Sequence, residues 1–186
     1  VRAGYRELDP VAILRVEDRN GRILYEYDQP ETQEILSPQL AYLMNSMLSD
    51  QRARYAEFGH PNALEMANDR PAAAKTGTTN NYRDAWTVGY TPQLVTAVWV
   101  GNTDNSEMVS LAGISGAAPI WRAVMEYELR DAEIAPFVRP DGLIEMAVCS
   151  LSGKLPGPEC PTVNELFIPG TEPREHCTIH QTFRVN

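Results

Sequence analysis

The sequence contains no run able to cross a membrane as a helix. Its most apolar stretch, Leu94–Val100, is broken by Thr96 and falls far short of about 20 residues. Val1–Asp9 is polar, holds no apolar core and is not expected to be a secretory leader. Basic residues are in deficit, with 16 Lys+Arg against 25 Asp+Glu, a net charge of −9 and a pI near 4.8. That balance argues against nucleic acid, whose phosphates need clustered Lys and Arg, and against an anionic membrane surface. Cysteine is scarce and uneven: Cys149, Cys160 and Cys177 are the only three, all in the last 40 residues, and an odd count cannot complete a disulfide framework.

A normal globular composition is present. Apolar residues make up 43% of the 186 and charged residues 22%, which suits one domain, or one domain with a small appendage. Residues 11–27 predict a hairpin: the β-prone runs 11–16 and 22–27 flank Asn20-Gly21, a tight-turn signal. Ser37 and Pro38 predict the start of a helix over 37–50, with Leu40, Leu43, Met44, Met47 and Leu48 as a core-facing stripe. Residues 51–71, with Gly59, Pro61 and Pro71, read as an irregular connector in which His60 is a surface histidine. Three strands follow, over 72–76, 85–90 and 94–100, and their short connections favour antiparallel pairing. A second helix is expected over 119–129. Trp86, Trp99 and Trp121 read as core. The composition shifts near Asp131–Pro140, and residues 131–186 hold seven of the 14 prolines and all three cysteines.

The sharpest chemical feature is Lys75-Thr76-Gly77-Thr78, at the end of a strand and leading into a turn over 77–81. Lys supplies positive charge, a Thr hydroxyl can bind a carboxylate, and Gly lets another chain lie close, as an added strand. A following N–H can face an oxyanion. A phosphate loop does not fit, because Ala74 and Asp69 stand where that motif needs glycine.

The stretch Ala72–Asn102, with Asp104-Asn105, Gly113 and Gly116–Trp121, resembles the transpeptidase domain of the class A, bifunctional penicillin-binding proteins. The resemblance extends to Pro10–Tyr25, Phe58-Gly59 and Asn62–Leu64. The tail, with Cys149, Gly153, Cys160-Pro161, Phe167, Gly170 and Cys177–His180, resembles the extension that follows this domain in some members. The resemblance implies an α+β fold of the serine β-lactamase type, an antiparallel sheet of about five strands packed with helices. Residues 1–130 would be the carboxy-terminal half of the transpeptidase domain and 131–186 its extension. The implied activity is D,D-transpeptidation of peptidoglycan stem peptides ending in D-Ala-D-Ala, with sensitivity to β-lactams. Lys75 and Thr78 would be catalytic, and Thr76, Gly77 and Thr78 would bind substrate. Thr78 N–H would form half of the oxyanion hole.

The family's Ser-x-x-Lys nucleophile and Ser-x-Asn group are missing: none of Ser37, Ser46, Ser49, Ser106, Ser110, Ser115, Ser150 and Ser152 has Lys three residues on or Asn two on. Ser49-Asp-Gln-Arg52 comes nearest, but Arg stays charged and cannot act as base. The implied partner is the upstream half of the same domain, in a cell-envelope protein anchored by an amino-terminal helix. This segment would contact neither membrane nor nucleic acid. A non-catalytic module that binds stem peptide or an envelope partner is the alternative. Arg83 and Asp84 read as a structural pair between strands. In the tail a Cys149–Cys160 disulfide leads, then free thiols; zinc held with Cys177 and His180 comes last, because spacings of 11, 17 and 3 lack close cysteine pairs. No metal and no cofactor is expected.

Overall fold

In a computed structural model the protein is described over residues 4–7, 11–28 and 32–180. Pro10, the first residue of the Pro10–Tyr25 segment that carries part of the resemblance, lies outside them. Two short antiparallel ribbons open the chain. One pairs β1 (Tyr5–Glu7) with β4 (Thr32–Glu34), and the other pairs β2 (Arg15–Glu17) with β3 (Ile23–Glu26). The expected hairpin is therefore present. Its turn is fixed by Asp18, whose Oδ1 accepts from the N–H groups of Asn20 and Arg22 while Gly21 takes a φ of +78°.

Helix α1 (Pro38–Ser49) begins as its sequence demands, with the Ser37 hydroxyl accepting from Leu40 N–H and proline in the first turn. Its stripe is a core face only in part, with Leu43 and Leu48 half-buried. Ala41 and Asn45 are buried, whereas Leu40, Met44 and Met47 stand about half or more exposed, because no described element covers that side. The connector expected after it holds a second helix, α2 (Gln51–Phe58), capped by Asp50, whose side chain accepts from Ala53 N–H. α2 buries no residue fully and carries no apolar stripe, so periodicity gave no signal for it. His60 lies on the surface as expected, bonded to Glu65 and tilted against the Tyr55 ring.

The centre is a three-stranded antiparallel sheet in the order β5 (Ala73–Thr78), β6 (Asp84–Tyr90), β7 (Val95–Gly101). Within the described residues this sheet has three strands, as a part of the expected α+β fold, and the other strands pair off in ribbons. β5 runs through Gly77 and Thr78, which the sequence placed in a turn; the turn comes later, around Asn80–Tyr82, where Asn81 and Tyr82 take positive φ. On one sheet face Ala74, Ala85, Thr87 and Gly89 meet α3 (Ala117–Glu128), which buries Ala117, Ala118, Trp121 and Met125 along one side. With Leu64, Met66, Ala72 and Leu129 these form the core. Gly89 is required, because a Cβ there would stand 2.5 Å from the Trp121 ring. The opposite face carries Trp86, Val88, Val95 and Trp99, all roughly half exposed, so two of the three tryptophans expected in the core are not there.

After α3 the chain returns as a strap over the first region. Arg70, buried, donates to the carbonyls of Leu129, Ala132 and Glu133; Phe137 packs edge-on against Tyr90; Gln39 donates to Asp141 O. The strap leads to an antiparallel pair, β8 (Ile144–Cys149) and β9 (Thr162–Phe167). Beyond Leu129 the only buried described residues are Val148 and Cys149.

Candidate functional site

β5 is an edge strand, paired only with β6 among the described residues. Residues of an antiparallel edge strand alternate, one turning both backbone groups inward and the next turning both outward. Here the outward set is Ala74, Thr76 and Thr78. The Ala74 carbonyl accepts from Arg54 Nη2 at 3.3 Å and the Thr76 carbonyl from Lys75 Nζ at 2.6 Å, both from outside the ladder. Thr79 N–H closes the inward set by bonding Asp84 O. The backbone groups of Thr76 and Thr78 therefore face the free edge, the geometry an added extended peptide would use. Beside this edge runs a groove of about 270 Å³ between α1, α2 and β5, with Leu48, Arg54, Phe58, Lys75 and Thr76 on its walls. Arg54 had no signal in the sequence. Burial lowers its pKa, and its second terminal nitrogen, Nη1, is buried with no partner among the described residues.

Thr78 is held from behind. Its Oγ1 accepts from Gly113 N–H at 3.0 Å, which leaves the hydroxyl's own proton to donate. Gly113 O in turn accepts from the Thr87 hydroxyl and from the first N–H groups of α3. A Cβ on Gly113 would stand 2.5 Å from Trp86 O and 2.6 Å from Gly77 O, so only glycine lets this loop reach both strands. At Gly77 a Cβ would meet only Trp86 Cβ, at an ordinary 3.5 Å, so internal packing does not demand glycine there. The turn after β5 is fastened by Asp84, whose carboxylate accepts from Trp99 Nε1 at 2.8 Å and from the Thr79 hydroxyl at 2.9 Å. The indole bond, then the hydroxyl bond, hold the Asp84 pKa below its usual value. Arg83 donates to Asn105 O and pairs with Glu107. Both residues thus serve the strand connections. Tyr82 is half exposed beside this turn.

The tail departs from the disulfide expectation. All three cysteines are free thiols, and Cys149, Cys160 and Cys177 converge with His180 so that their ligand atoms lie within 4.8 Å of one another. Cys149 Sγ and Cys177 Sγ each stand 3.5 Å from His180 Nδ1. Pairing two thiols would strand the third, and the fold instead brings all four side chains to one point. Hydrogen bonding, led by the Ser152 side chain, draws the Cys177 thiol pKa down to about 5, whereas burial pushes Cys160 up. The signal available in the sequence was Cys177-Thr-Ile-His180, a close ligand pair of mixed type.

The family described as "Penicillin-binding protein 1A, C-terminal domain" matches residues 139–182. Penicillin-binding protein 1A of Clostridium tetani is 37% identical over 180 residues, which is 92% of this chain and 22% of that protein. Penicillin-binding protein 2D of Bacillus subtilis is 30% identical over 180 residues, 94% of this chain and 25% of that protein. Over most of its length the chain is thus similar to penicillin-binding proteins of the 1A type, and residues 139–182 match the model of their C-terminal domain. It spans about a fifth of the length of the curated relatives it matches. The crystal structure of penicillin-binding protein 1A from Haemophilus influenzae superposes with a TM-score of 0.73 at 23% identity, covering 94% of this chain and 31% of that one. The α+β class is thus that of a penicillin-binding protein. Among the described residues no helix is long and apolar enough to cross a membrane.

Proposed function

We propose that the chain supplies one wall of the acyl-transfer site of a serine-type D,D-transpeptidase, which cross-links peptidoglycan stem peptides and is acylated by β-lactams. The observation that carries this reading is the open edge of β5, where Lys75, Thr76, Gly77 and Thr78 stand together and the even-numbered backbone groups face outward. In this reading Lys75 supplies positive charge, and the hydroxyls of Thr76 and Thr78 donate to the terminal carboxylate of the stem peptide. Gly77 leaves room for the peptide to lie against the strand, in keeping with its freedom from internal contacts. Thr78 N–H points at the oxyanion that forms when the scissile carbonyl is attacked.

The nucleophilic serine and its lysine come from the upstream half of the same domain, since no serine in this chain has an activating lysine. The half-exposed stripe of Leu40, Met44 and Met47 and the open Trp86–Trp99 face are the surfaces that half would cover. The protein would act in the cell envelope, held by a membrane anchor that precedes this segment. The missing Ser-x-x-Lys favours one second reading, a module that binds stem peptide without turning it over.

The test is made in the full-length protein carrying this chain. Thr76→Val keeps size and strand preference but removes a hydroxyl. A hydrogen bond to a charged group is worth about 1.5–3 kcal/mol, so the second-order rate of acylation by a labelled penicillin should fall roughly 10- to 150-fold at unchanged Tm. Lys75→Ala should cost at least as much. A normal rate in a folded Thr76→Val protein would mean that the strand is structural only. A full-length wild type that binds stem peptide but never acylates would establish the binding-module reading.

A further inference from the structure

We propose that Cys149, Cys160, Cys177 and His180 form a closed tetrahedral site for one Zn²⁺ that fastens the tail. Zinc with three thiolates and one imidazole has bonds of about 2.3 Å to sulfur and 2.0–2.1 Å to nitrogen. At tetrahedral angles these set edges of about 3.8 Å between sulfurs and about 3.5 Å between sulfur and nitrogen. Both sulfur–nitrogen separations seen here are 3.5 Å, and no pair among the four ligand atoms exceeds 4.8 Å. Closing the widest separation to a zinc-bound edge takes about 1 Å, within the reach of small χ1 adjustments.

The backbone is built around the same point. Cys149 ends β8, Cys160 stands two residues before β9, and Cys177 and His180 lie in the last described turn. Three separate segments therefore deliver the ligands. A backbone donor is also in place, since Gly157 N–H reaches Cys160 Sγ at 3.2 Å. Such a donor suits anionic sulfur and is arranged before any ligand arrives. Leu155 N–H to Glu175 O and Cys177 N–H to Leu155 O hold the third segment in place.

The donor set selects the ion. Three sulfurs and one nitrogen, with no carboxylate among them, exclude the hard cations calcium and magnesium and favour zinc. Four protein ligands leave no open position, so the role is structural. The tail needs such a device, because Val148 and Cys149 are its only buried described residues and a segment of this size rarely folds on so little apolar burial. Binding displaces the thiol protons to solvent, and its free energy becomes folding free energy of the tail.

The experiment is elemental analysis of the full-length protein purified without chelator, with peptide-mapped alkylation of the three thiols before and after chelation. The expected result is one zinc held here, Cys149, Cys160 and Cys177 shielded until the metal is removed, and cobalt exchange that gives the ligand-field bands of a tetrahedral thiolate site. His180→Ala should lose the metal, and His180→Cys should retain it. A metal-free protein with Cys149 joined to another cysteine would overturn the proposal. So would three thiols that react at once without metal, an iron–sulfur chromophore in place of zinc, or a His180→Ala protein that holds zinc as tightly as the parent. Should His180→Ala not fold, the zinc content, alkylation pattern and cobalt spectrum of the unaltered protein still decide the matter.

Discussion

The sheet region and the tail are of the same chemistry class, antiparallel strands in an acidic chain, yet different forces hold them. Around β5–β6–β7 the fold rests on apolar burial: Trp121, Met125 and Ala118 of α3 close over Ala74 and Gly89, and Leu64 and Met66 complete the cluster. Around β8–β9 burial is nearly absent, and four polar ligands converge instead. A core of that kind tolerates an open strand edge, because its energy lies on one face of the sheet. A segment without a core must be pinned at a point. Substitution should therefore break the first region and ligand removal the second.

The largest expected effect is at Trp121. Its ring is fully buried, so Trp121→Ala should cost about 3–5 kcal/mol by chemical denaturation and unfold the sheet region first. Trp121→Phe should cost less, under about 1.5 kcal/mol, since the indole nitrogen has no partner among the described residues. Equal losses in the two variants would mean that the nitrogen is satisfied after all.

Arg70 ties the start of the strap to the sheet region by donating to three carbonyls at the end of α3 and just beyond it. Arg70→Met keeps the stem and removes the donors, so about 2–3 kcal/mol should be lost. Proteolysis should then appear first between Leu129 and Asp141. Cleavage inside β5–β7 instead would show that the strap supports the sheet rather than merely crossing it.

The smallest effect concerns pH at the turn after β5. The Asp84 carboxyl is held below its ordinary 3.8 by Trp99 and Thr79. A depressed folded-state value means that the contribution is complete above about pH 4 and fades as pH falls through the depressed value. The Trp99 indole N–H resonance should therefore titrate with a midpoint below 3.8. A midpoint at or above that value would remove the turn bond from the account.

Legibility in the sequence follows the same division. Strands β5–β7 and the hairpin at Asn20-Gly21 were readable because alternation and turn chemistry are local. So was the Lys75–Thr78 motif, although its last two residues proved to be strand rather than turn. α2 was not readable, because Arg52, Arg54 and Glu57 break any stripe and its one strong signal, the Asp50 cap, is a single residue. The exposure of Trp86, Trp99 and Met47 was hidden for another reason: an apolar pattern states that a surface wants cover and not which chain covers it. Arg54 at the free edge of β5 and the cluster of Cys149, Cys160, Cys177 and His180 are tertiary facts, and within that cluster only Cys177 and His180 are near neighbours in sequence.

The most direct test of the division is hydrogen exchange on the full-length protein before and after a zinc chelator. Amide protection should collapse over residues 144–180 while β5, β6, β7 and α3 keep theirs. Protection lost across both regions together, or in neither, would contradict the division.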